Sequence, residues 1–106
     1  MKAGELIAIV DSIKENKISD DAKFSWLCDA EARVMCEIHK MDPKSIDAFV
    51  NGDTELSVPA PYSSMYSMYV LSMICFVMGE YAAYTNANAQ YEKAFLDYAK
   101  FCIRNR

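Results

Sequence analysis

Tyr62-Ser63-Ser64-Met65-Tyr66-Ser67-Met68-Tyr69-Val70-Leu71-Ser72-Met73-Ile74-Cys75-Phe76-Val77-Met78 is the stretch that decides the fold. It contains no charge, no Gly and no Pro, and its period is helical. Three apolar stripes run along it: Tyr62, Met65, Tyr66, Tyr69, Met73 and Phe76; Met68, Leu71, Cys75 and Met78; Val70, Ile74 and Val77. A helix apolar nearly all round must be enclosed by neighbours in water, so this is predicted to be the central helix of a bundle or one that also faces another chain. Its most apolar part, Tyr69 to Met78, is about ten residues, against roughly 20 needed to cross a bilayer, so no membrane span is expected.

Working outward, Pro61 suits the first turn of this helix and Gly79 its end. A last helix starts between Glu80 and Asn86, with Ala87, Tyr91, Ala94, Phe95, Tyr98, Phe101 and Cys102 on its inner stripe. Upstream, Asp42-Pro43, Asn51-Gly52, Pro59 and Pro61 break helical periodicity over about 42–61. Asn51-Gly52 suits a tight turn with positive φ, and Ile46–Val50 and Thr54–Val58 flank it, so this arm is read as a short β-hairpin or an extended segment. Near the start, Leu6, Ile9, Val10 and Ile13 define one face of a first helix. Ser19, followed by Asp20 and Asp21, is an N-cap signal for a second. That second helix carries Phe24, Leu27, Cys28, Val34, Met35 and Ile38, interrupted by Glu31, and should stop near Met41. The expected fold is all-α: a single domain over residues 1–106, a bundle of about four helices with the arm between helices two and three.

Composition fits one folded unit of 106 residues, with 53% hydrophobic and 25% charged side chains. A net charge of −4, with 11 basic residues dispersed among 15 acids, gives no cationic face for sequence-specific nucleic acid or for a membrane. Met1–Glu5 leads into a helical pattern rather than an apolar signal core, so no export is expected. Cys28, Cys36, Cys75 and Cys102 show no CxxC pairing and read as free thiols; no metal is expected. The lone histidine, His39, is one helical turn from Cys36, but a nucleophile also needs an orienting group and an oxyanion site. Asp20, Asp21, Asp29, Glu31 and Glu37 read as solvated acids. The three isolated glycines form no nucleotide loop, so neither an enzyme nor a cofactor is expected. Seven Tyr and seven Met are more informative, because both types are favoured where proteins touch. Tyr62, Tyr66, Tyr69, Tyr81 and Tyr84 exceed what so small a core needs.

The segment Asp53-Thr54-Glu55-Leu56-Ser57-Val58-Pro59-Ala60-Pro61-Tyr62 precedes the Tyr- and Met-rich helix; Gly79-Glu80-Tyr81, Tyr84, Asn86, Phe95, Tyr98 and Ala99 follow it. Together with Trp26-Leu27 in the second helix, this resembles a family of small virion-associated proteins of phages and prophages of Gram-positive bacteria. Its most specific part is Val58-Pro59-Ala60-Pro61-Tyr62. The four cysteines are more than the family leads one to expect. The family in turn resembles head-tail connector (adaptor or head-completion) proteins, small helical bundles with an extended arm that assemble as rings on the portal. The resemblance implies a homo-oligomer in contact with the portal and with neck or tail proteins, located in the host bacterial cytoplasm before assembly and in the virion neck afterwards. Partner or oligomer contacts are expected at Phe49, Leu56, Val58, Pro59, Pro61, Tyr62, Tyr66 and Tyr69. A different class of function is a small non-enzymatic adaptor or regulatory protein that binds another protein through an apolar groove beside helix three.

Overall fold

Helix α1 spans Ala3–Ile13 in the computed structural model of the chain, which describes residues 1–46 and 50–105. It buries Ala3, Leu6, Ile7 and Val10. Ile9 and Ile13 were expected inside, but both face solvent. The choice between these adjacent faces is made at the start of α1, where no side chain caps the helix. The unpaired N–H groups of Ala3 and Gly4 instead donate to the carbonyls of Thr54 (2.9 Å) and Gly52 (3.1 Å). Docking that end against residues 52–56 turns Ile7, rather than Ile9, inward.

Helix α2 spans Asp20–Arg33, capped by the Ser19 hydroxyl, which accepts from the Ala22 amide at 3.2 Å. It continues as a π-helical turn, Val34–Ile38, closed by the His39 amide on the Val34 carbonyl at 3.2 Å. Lys40 then takes the left-handed conformation, φ 59°, that ends the helical path close to the expected stop. The buried stripe is Leu27, Ala30, Val34 and Ile38, and it also includes two charged residues, Lys23 and Glu31. Lys23 places its ammonium 2.8 Å from Asp11 of α1. Burial by itself would raise the Asp11 carboxyl, but hydrogen bonds from Lys23 and Asn16 outweigh it and hold it below its usual value.

After a short 3-10 turn, Pro43–Ser45, the expected arm is partly outside the described residues, since 47–49 would form most of its first strand. Among the described residues no strand forms. The turn at Asn51 is present, with the Thr54 amide on the Asn51 carbonyl at 3.1 Å and the Asp53 amide on the Asn51 side chain at 2.9 Å. Gly52 does not take the positive φ expected of it. Residues 54–56 pair with the start of the chain, through one isolated antiparallel bridge between Lys2 and Glu55, and Leu56 donates to the Met1 carbonyl at 3.1 Å. Residues 50–62 thus form an irregular strap of turns and bends, with Val50, Leu56 and Val58 pressed into the core.

Helices α3 (Ser64–Val77) and α4 (Tyr81–Arg104) form an antiparallel hairpin, the largest packing interface among the described residues. Rings pair down its length: Tyr62 with Phe101 (5.0 Å between centroids), Tyr69 with Tyr91 (4.9 Å) and Phe76 with Tyr84 (5.4 Å). Each such pair adds about 1 kcal/mol beyond the area it buries. The expected inner stripe of the last helix is realised at Ala87, Tyr91, Phe95 and Tyr98. Helix α3 also touches α1 and α2, which makes it the central helix, and Tyr66 at its start is wholly buried. Arg33 fastens α2 to α4: its guanidinium grips both carboxylate oxygens of Glu92 (2.9 and 3.0 Å) and lies 4.0 Å from the centre of the Phe95 ring. That grip raises the Arg33 pKa further above its ordinary value.

Candidate interaction surface

The enclosure that α3 requires fails at one end. Helix α3 stops at Met78 and Gly79, where φ 77° lets the chain reverse. The Gly79 amide donates to the Phe76 carbonyl (3.1 Å) and the Glu80 amide to the Cys75 carbonyl (2.9 Å), which together satisfy two otherwise unpaired carbonyls. The reversal is pinned to the end of α1 by Lys14, whose ammonium is 2.9 Å from Glu80; that hydrogen bond raises the Lys14 pKa. Around this pin Ile13, Phe76, Val77, Met78 and Tyr81 remain between 47% and 62% exposed. Phe76 keeps its ring contact with Tyr81 at 5.9 Å, so the aromatic edge is ordered by the protein's own packing.

A groove runs from this tip between α1, α3 and α4. Ile13, Leu71, Cys75, Ala83 and Ala87 give it an apolar floor, with Asn86 and Gln90 at its polar side. Beside it, Met78 lies with Ile18 and Lys17 in a second hollow. Exposed large apolar groups gathered at one end of a small domain are the surface feature that marks protein contact, whereas isolated ones carry no such meaning.

The residues expected to make partner contacts are divided by the fold. Leu56, Val58 and Tyr66 lie within the chain's own core. Tyr62 and Tyr69 are half-buried by their ring contacts with α4, and only Pro59 and Pro61 are open to solvent. Phe49 lies outside the described residues. The tip residues Ile13, Phe76, Val77 and Met78 were not among the expected contacts. Their signal was present in the C-terminal ends of all three apolar stripes of α3, Phe76, Met78 and Val77, and in Tyr81, one of the tyrosines in excess of the core.

Glu31, read from the sequence as a solvated acid, is instead 4% exposed. Its carboxylate accepts from the Ser57 amide (3.1 Å), the Ser57 hydroxyl (3.0 Å) and the Tyr66 hydroxyl. The Tyr66 oxygen in turn accepts from the Val58 amide at 3.0 Å. Burial and then the bond to Glu31 push the Tyr66 hydroxyl well above its ordinary pKa. This cluster closes on itself: every buried side-chain polar atom among the described residues has a partner, which leaves no unsatisfied group aimed at a ligand.

Cys36 is half-buried and His39 exposed, and all four cysteines are free. His39 lies with Cys102 in an open hollow at the C-terminal ends of the π-helical turn and α4. Among the described residues no three His, Cys, Asp or Glu side chains are grouped so as to hold a metal ion, and no helix is long and apolar enough to cross a membrane. No protein-family model matches the chain, and no curated protein or solved structure is significantly similar to it.

Proposed function

We propose that the chain is a structural docking protein of the phage or prophage head-tail connector type. In this reading it assembles with its own copies on a portal at the capsid-tail junction, in contact with neck or tail proteins. It acts in the virion neck after assembly and resides in the host bacterial cytoplasm before it. It performs no catalysis and uses no cofactor. The observation that carries the proposal is the apolar tip formed by Ile13, Phe76, Val77, Met78 and Tyr81, which gathers half of the ten large apolar side chains exposed among the described residues at one reversal of the chain. The likeness of Val58-Pro59-Ala60-Pro61-Tyr62 and the following helix to the connector-like family supports the more specific part.

Such a tip at one end of an asymmetric bundle fits a heterologous contact, which closes into a ring when the rotation between copies closes. Residues 54–56 pair with the start of the same chain, so in this reading the contact is made by the tip and not by strand addition from the arm. The groove beside α3 favours a second reading, a small adaptor that receives one partner segment between Leu71, Cys75 and Ala87. Stoichiometry separates the two. Sedimentation velocity of the chain mixed with the portal protein of the same phage or prophage should show many copies bound per portal ring. A single copy bound to a non-portal partner, with no portal binding, would replace the connector with the adaptor.

A further inference from the structure

We infer that the strap, residues 50–62, opens as one unit together with the start of α1, and that the Glu31 carboxylate is the catch that holds it closed. The inference does not depend on what the protein docks to. Its first support is the sharing of backbone groups. Helix α1 has no side-chain cap, and its first N–H groups end on the strap carbonyls of Thr54 and Gly52, while Leu56 returns a bond to Met1. Neither segment can leave without stranding the other's groups. The approach is tight: a Cβ on Gly4 would lie 3.0 Å from the Gly52 carbonyl oxygen, so the strap backbone would have to yield by a few tenths of an ångström to admit one.

The second support is how the strap is held on its other side. Two consecutive strap amides, Ser57 and Val58, end on the Glu31 carboxylate and the Tyr66 hydroxyl, which bond to each other. No ion pair involving Glu31 is found among the described residues. A carboxylate buried on neutral donors regains its hydration as soon as the strap lifts, so the closed state is specified by geometry but held less firmly than an apolar plug of similar size would hold it. The strap shares Tyr62, Tyr66 and the common core with the α3–α4 hairpin, but the hairpin has further supports that the strap does not touch: the Tyr69–Tyr91 and Phe76–Tyr84 ring pairs and the Arg33–Glu92 fastening. A region whose supports are only partly shared can open at a lower free energy than the rest.

Amide hydrogen exchange on the full chain tests this. The amides of Ala3, Gly4, Leu56, Ser57 and Val58 should share one protection level, below that of core amides such as Ile74 and Tyr98. Tyr66→Phe keeps the ring and removes only the hydroxyl; Ser57→Ala alters an exposed residue and leaves the fold in place. Each should speed exchange of the strap and α1-start amides about tenfold while α3 and α4 stay unchanged. Equal acceleration throughout the chain would overturn the inference, since the strap would then unfold only with everything else. No acceleration in either variant would overturn it equally, since the Glu31 cluster would then not be the catch.

Discussion

The strap and the α3–α4 tip are composed of similar apolar residues and are treated oppositely by the fold. In the strap, Leu56 and Val58 are 4% and 1% exposed, whereas at the tip Phe76 and Val77 are 50% and 58% exposed. The strap has a polar anchor beneath it: Glu31 and Tyr66 accept its amides, and the start of α1 uses its carbonyls, so its side chains can be buried without stranding the backbone. The tip lies where α1 has ended and the chain reverses at Gly79, so its backbone is satisfied locally and its side chains are left uncovered. Apolar character alone therefore does not say which segment is buried and which is left exposed. The disposition of backbone hydrogen bonds around it does.

The largest effect that would sharpen this contrast is alkaline unfolding. Tyr66, Tyr69, Tyr91 and Tyr98 are all raised by burial above the ordinary value of 10.0, Tyr98 to about 12. The unfolded chain loses these protons first, so the stability they contribute is complete below pH 10 and is lost as pH rises toward 12 and beyond. Denaturant titrations at a series of alkaline pH values should show a steep fall, reduced in Tyr66→Phe. Next is Glu31→Ala, which strands the donors of Ser57 and Tyr66 and should cost about 3 kcal/mol in urea unfolding. A loss near zero would break the distinction between an anchored strap and a bare tip.

Gly4→Ala is a smaller and more pointed test. In an exposed helix interior alanine is favoured by about 1 kcal/mol, but here the added carbon meets the Gly52 carbonyl, and a net loss of about 2 kcal/mol is expected. A gain in stability would show that the strap does not approach α1 so closely. The smallest stability effect should come from the tip: Val77→Asp is expected to change unfolding free energy by about 0.5 kcal/mol or less. A large destabilisation there would place Val77 in the core and remove the contrast.

Much of the helical frame was legible in sequence because its determinants are local. Ser19 caps α2 through its own hydroxyl, Gly79 ends α3 through its own φ, and Ala87, Tyr91, Phe95 and Tyr98 repeat at helical spacing. What was not legible depends on partners far along the chain. Ile7 and Ile9 are equally apolar, and the docking of residues 52–56 decides between them. Glu31 interrupts a stripe in the sequence, and only the distant Ser57 and Tyr66 make it a buried acceptor. Residues 54–58 alternate as a strand should, but their partner is the start of the chain, more than 50 positions away, and not the segment across the nearest turn. The tip was half legible: an all-round apolar helix had either to be central or to face another chain as well, while the end of the helix left uncovered depends on where α1 stops.

The most direct test of the proposed docking face is sedimentation velocity on the protein alone and with the portal protein of the proposed phage or prophage, for the wild type and for a Val77→Asp, Met78→Asp double variant whose helical content is confirmed by circular dichroism. The wild type should enter a many-copy complex, by itself or on the portal, and the folded variant should remain a 106-residue monomer in both mixtures. A wild type that stays monomeric under both conditions, or a variant that assembles as well as the wild type, would contradict the account.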